Sequence, residues 1–192
     1  MQLRMLALGA LCLGACHSTS HEEHASVGAR SSGGTVSVST AGAHPTEASA
    51  MGLSTGDRRF LEQAGQGGRF EVESSNLALL KGVSGSTRDF AQLMLDDHVK
   101  ANAELERLAG NKGLQLAVKL DPAHQESLDQ LANLDGETFE HAYREIQVKA
   151  HDEALSLFEK AAEDSQDAEL REFAKRTLPM LRKHREHLDQ PS

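Results

Sequence analysis

Residues 86–109 read STRDFAQLMLDDHVKANAELERLA. Within this stretch Ala91, Met94, His98, Ala101, Leu105 and Leu108 recur at steps of 3, 4, 3, 4 and 3. A helix turns once every 3.6 residues, so these side chains form one apolar stripe, and a histidine stands in it. Near the end of the chain Leu170, Ala174, Thr177, Leu181, His184 and Leu188 step by 4, 3, 4, 3 and 4, again with a histidine at a core position. His151 shares a third apolar face with Tyr143, Gln147, Ala154 and Phe158. Long period-two alternation is absent, and the sequence predicts an all-α fold.

Caps and breakers outward from these stripes mark five helical stretches. The first spans about 55–81 and is interrupted at Gly65, Gly67 and Gly68. The second starts at Ser86, with Asp89 three residues on as in a capping box, and ends near Ala109 before Gly110 and Gly113. A short helix starts at Pro122 behind Asp121 as N-cap. A long one covers about 137–163, and the last about 167–188, with Pro179 expected to kink it or displace a hydrogen bond. Arg69-Phe70-Glu71 and Thr138-Phe139-Glu140 look like matching starts of two hairpins, as do Arg88-Asp89-Phe90-Ala91 and Arg171-Glu172-Phe173-Ala174 in their second helices. Two hairpins joined by the long link 111–136 predict a ferritin-like four-helix bundle with a short crossover helix, over residues 53–190.

Three of the four main helices thus each turn one histidine inward. Glu71, on a face with Ser75 and Ala78, and Asp97, beside His98, are the nearby carboxylates. His98, His151, His184, Glu71 and Asp97 can form either a hydrogen-bonded polar layer or a site for Zn²⁺, Cu²⁺ or Fe²⁺, if the histidines converge at all. Convergence within roughly 5 Å is the test of the second reading. Di-iron carboxylate proteins carry Glu-x-x-His on two helices. Leu95, Val148 and Leu181 stand three residues before the inward histidines, which argues against a di-iron centre. His184 and His187 form a surface-adjacent pair, read as one core and one solvated residue.

The amino-terminal segment has a different character. Residues 1–15 carry Arg4 and then an apolar run from Met5 to Leu13, shorter than the roughly 20 residues a bilayer span needs. Such a pattern reads as a secretory signal. Leu13-Gly14-Ala15-Cys16 matches a bacterial lipobox, which implies a lipid on Cys16 and cleavage before it; Cys12 is a poor rival because Leu11 is large for the cleavage position. With His17 rather than Asp after the cysteine, analogy with other lipoproteins places the chain on the outer membrane, facing the periplasm. Several acyl chains make a stable anchor where one does not. Residues 16–52, rich in Ser, Thr, Gly, Ala and His, read as a disordered tether with a reach of about 30–35 Å. His17, His21 and His24 in it, with Glu22, Glu23 and the more distant His44, could capture Zn²⁺, Cu²⁺ or Ni²⁺, or could simply solubilise a linker.

The chain has a formal charge of −9, and losing Arg4 with the signal makes it about −10. An acidic chain with one Tyr, six Phe and no Trp has no footprint for nucleic acid. After cleavage no cysteine other than Cys16 is left, so no intramolecular disulfide can form and packing must hold the fold. No Gly-x-Ser-x-Gly elbow and no P-loop is present.

Three groups of residues carry a family resemblance. They are Phe90-Ala91 with Met94, Asp97-His98, Asn102 and Leu105; Phe139 with Tyr143 and His151; and Phe173-Ala174 with Leu178-Pro179 and His184. Over about residues 54–188 the chain resembles the bacterial domain-of-unknown-function family 4142, with Glu140 where that pattern usually has Asp. The resemblance implies an exported ferritin-like bundle and no established reaction. The expected function is a lipid-anchored, non-enzymatic envelope module that binds a protein or ligand. The alternatives are a metal-binding bundle for storage, sensing or protection, and metal capture by the tether.

Overall fold

The computed structural model describes residues 52–190. The expected signal, Cys16, and most of the tether with His17, His21 and His24 lie outside the described residues. Five helices follow one another: α1 (Thr55–Leu80), α2 (Gly85–Asn111), α3 (Pro122–Ala132), α4 (Gly136–Asp164) and α5 (Ala168–Leu188). There is no strand among the described residues, and no helix among them is long and apolar enough to cross a membrane.

The caps explain most of the boundaries. Ser54 Oγ accepts from the Asp57 amide at 3.0 Å, Asp121 accepts from the amides of Ala123 and His124, and Asp167 accepts from those of Glu169 and Leu170. Each side chain satisfies donors that a first helical turn leaves free. The start of α2 corrects the expected capping box at Ser86. The cap position is Ser84, without a side-chain cap bond. Gly85, at φ 54°, takes a left-handed conformation that a β-carbon would strain, and so re-aims the chain into α2.

One expected break does not occur. α1 runs unbroken through Gly65, Gly67 and Gly68. Packing overrides the propensity cost of about 1 kcal/mol per glycine. Gly68 has a packing reason to be there, since a β-carbon at that position would fall 2.0 Å from Asn102 Oδ1 on α2. Gly67 has open space instead. Gly67→Ala is therefore expected to raise stability by about 0.5–1 kcal/mol, with Gly68→Ala giving less or none of that gain, as measured by urea unfolding. α5 continues through Pro179, where the expected displacement of one backbone hydrogen bond falls. Proline has no N–H for the Lys175 carbonyl, but both residues lie on the exposed side of α5, where water can take that place.

The core shows how the helices run. One apolar cluster gathers Phe60, Leu61, Leu105, Leu108, Phe158, Leu170 and Phe173. A second gathers Ala78, Phe90, Met94, Leu131, Phe139, Tyr143 and Leu188. α1 starts at the first cluster and ends at the second, and α2 returns. α4 starts at the second cluster, parallel to α2, and α5 returns from the first. A 27-residue helix is about 40 Å long, so the link between α2 and α4 must run the length of the bundle, carrying α3. This is the expected four-helix bundle with a crossover helix. One of the two expected internal correspondences fails in register: Phe70 lies in the middle of α1, whereas Phe139 lies in the first turn of α4. Phe90 and Phe173 do match, each in the second turn of its helix.

Candidate metal centre

A layer of polar side chains separates the two apolar clusters. Glu71, Ser74 and Ser75 come from α1, His98 from α2, Gln147 and His151 from α4, and His184 from α5, all of them buried. The 3–4 stripes in the sequence bring them here, because each polar residue keeps the phase of its apolar neighbours.

The three imidazoles form a triangle. Ring centroids are 5.9 Å apart for His98 and His151, 5.4 Å for His98 and His184, and 5.5 Å for His151 and His184. One ring nitrogen of each lies within 4.8 Å of the other two, inside the distance set as the test of convergence. Tetrahedral zinc at about 2.0–2.1 Å from each nitrogen needs them about 3.3–3.4 Å apart. The rings would close inward by roughly an ångström around an ion.

Hydrogen bonding fixes two of the tautomers. His151 Nδ1 is 2.9 Å from the Gln147 carbonyl. A carbonyl only accepts, so Nδ1 carries the proton and Nε2 keeps its lone pair. His184 Nε2 donates to Asp97 Oδ2 at 3.1 Å, which leaves the lone pair on Nδ1. His151 Nε2, His184 Nδ1 and His98 Nε2 are buried with no hydrogen-bond partner among the described residues. A carbonyl or carboxylate behind a ligating imidazole is the usual outer support of a metal site.

The electrostatics favour neutral rings. Burial pushes the His98 imidazole well below its usual range, with His151 and His184 adding to the shift. Burial likewise lowers His151 to about 4, against the bond to the Gln147 carbonyl, and lowers His184 against its bond to Asp97. Glu71 Oε1 lies 3.6 Å from His151 Nδ1, yet this is no ion pair near neutral pH. Burial raises the Glu71 carboxyl to about 8, with the Gln147 amide opposing, so carboxyl and imidazole are both uncharged.

These shifts give opposite slopes of stability against pH. Glu71 is raised in the fold, so its contribution is full below about 4.5 and is lost as pH climbs through about 8. His151 is depressed, so its contribution is full above 6.5 and is lost as pH falls toward about 4. The metal-free domain should be most stable near pH 6–7. Thermal midpoints across pH 4–9 are expected to show this maximum, and Glu71→Gln should remove the decline on the alkaline side.

A family model described as "Domain of unknown function (DUF4142)" matches residues 42–190. The chain belongs to the DUF4142 family. Among solved structures its fold resembles a DUF305 fragment from Deinococcus radiodurans, with a TM-score of 0.64 and 14% identity, covering 72% of this chain and 96% of that one. At that identity the likeness speaks for the fold alone. No curated protein matches the chain.

In this DUF4142 domain the expected residues His98, His151, His184 and Glu71 share one layer, and Asp97 reaches it from a half-buried position. The Gln147 carbonyl behind His151 is a role the sequence reading did not assign. The Gln147 amide also donates to Ser74 Oγ at 3.0 Å, and Ser75 and Tyr143 share a hydrogen bond of 3.0 Å. Gln147 is four residues before His151 on the same face, and that spacing was the available signal. His187 stacks on Phe90 at 5.1 Å, outside the layer. Glu140 accepts from Thr87 at 2.9 Å and so ties α4 to the start of α2.

Proposed function

We propose that the bundle binds one divalent transition-metal ion through His98, His151 and His184, with Glu71 beside the site and Asp97 and the Gln147 carbonyl supporting the rings. One observation carries this reading: three buried imidazoles each bring a ring nitrogen within 4.8 Å of the others, and each has a buried nitrogen with no hydrogen-bond partner among the described residues. A self-contained polar network would pair such acceptors, because each one left unmet costs about 1–3 kcal/mol. Imidazole ligands without a thiolate suit Zn²⁺ or Cu²⁺. Neutral rings are already in the ligating state, so uptake at pH 7 need not displace protons from them.

The test must separate the core from the tether. A chain with His17, His21, His24 and His44 all replaced by alanine, purified without an affinity tag, is expected to retain one equivalent of Zn²⁺ or Cu²⁺ and to show a higher thermal midpoint when loaded. Less than about a tenth of an equivalent would leave capture by the tether as the surviving metal reading.

The lipobox supports placing this activity in the cell envelope. A lipid on Cys16 would hold the domain to the outer membrane on its periplasmic side, with the tether as spacer. Metabolic labelling with a palmitate analogue should mark the chain, and Cys16→Ala should lose the label. The acidic charge gives no support to a nucleic-acid partner.

A further inference from the structure

The metal reading uses the ring nitrogens and leaves unexplained a cavity of about 460 Å³ beside them. Residues of all four long helices and the start of α3 line it. Ala64, Leu105, Phe158, Phe173 and Leu181 supply apolar wall. Glu71 and His98 line its deep end, 4% and 5% exposed, and Glu71 Oε2 and His98 Nε2 have no hydrogen-bond partner among the described residues. Toward solvent stand the exposed carboxylates Glu62 and Glu153. No lysine or arginine is among the lining residues.

This volume falls within the range of about 300–1,000 Å³ typical of small-molecule sites. A bare ion needs no such apolar wall. The carboxyls along the cavity, with no cationic side chain among them, oppose an anion. A neutral apolar molecule would fill the space and leave two buried polar atoms unmet, each at a cost of about 1–3 kcal/mol. An ammonium offers three donors and a positive charge.

We infer that this cavity is a binding site for a small organic cation, a primary ammonium whose head lies on Glu71 and His98 and whose apolar body lies along the helix walls. The inference shares His98 Nε2 with the metal reading, so ammonium and metal ion would exclude one another at that atom, and either can be tested without the other. The association is non-covalent, with the ammonium N–H groups donating to Glu71 Oε2 and His98 Nε2, the two buried atoms that lack a partner among the described residues.

The experiment is calorimetric titration of the full chain, first dialysed against a chelator. The probes are 2-phenylethylammonium, the anion 3-phenylpropionate and the neutral 2-phenylethanol. The ammonium should bind at least about tenfold more tightly than the alcohol, and the anion should give no binding. Glu71→Gln keeps the shape of the side chain, so it should fold, and it should weaken the ammonium at least about tenfold. Equal binding of all three probes, no binding of the ammonium at millimolar concentration, or unchanged binding by Glu71→Gln would each overturn the proposal. Because metal is absent throughout, those results leave the metal reading standing, and failed metal uptake leaves this one standing.

Discussion

His98→Leu is expected to abolish metal uptake and, in the metal-free protein, to raise the thermal midpoint. The two halves of that result have one cause. His98 Nε2 is buried without a partner among the described residues, so the imidazole weakens the empty fold by up to about 1–3 kcal/mol. Leucine has a similar volume and no acceptor, and it sits in the same stripe as Met94 and Leu105. With metal the sign reverses. An ion at 1,000 times its dissociation constant stabilises the native state by about 4.1 kcal/mol, and the leucine variant forfeits this. Affinity should fall by more than the 10–100-fold typical of losing an outer supporting group. Asp97→Asn, which alters only the group behind His184, should stay inside that range. Competition with a chromogenic chelator measures both. If His98→Leu instead lowers the metal-free midpoint, the histidine is a structural member of the core and the metal reading loses its basis.

The second large effect lies at the other level of the structure. Phe173→Ala should cost about 3–5 kcal/mol, read by urea unfolding. Phe173 is 1% exposed and packs with Phe60 and Phe158, at centroid distances of 6.5 and 5.9 Å. Those two meet edge-on at 5.2 Å. Such contacts add to the area term. Domains of this size hold about 5–15 kcal/mol in total, so one truncation takes a large share. No disulfide can make up the loss if the chain is processed as its lipobox implies. Loading with Zn²⁺ should restore part of the midpoint, because the polar layer is separate from this cluster.

Periodicity made much of this legible. Steps of three and four put His98, His151 and His184 on inward faces, and the face shared with Ser75 and Ala78 put Glu71 there too. The long link between α2 and α4 was legible as a crossover because a short turn could not reverse the hairpin order. The partners across the bundle were not legible. Asp97 stands next to His98 in sequence yet bonds His184, 87 residues away, and helical phase says nothing about which neighbour a half-buried side chain will find. The glycines of α1 misled for a related reason. Propensity is a local quantity, and Asn102 opposite Gly68 is a tertiary fact. The expected box at Ser86 failed because the left-handed Gly85 lets the helix begin one residue earlier.

The two hairpins divide the imidazoles unequally. α1 and α2 pack chiefly on each other, as do α4 and α5, so each pair is a natural unit of local folding. The first contributes His98 with Glu71, the second His151 with His184. Neither half alone holds all three rings. An ion seated among them would act as a clasp between two separately assembled halves, and its release would loosen their seam while leaving each half's own packing intact.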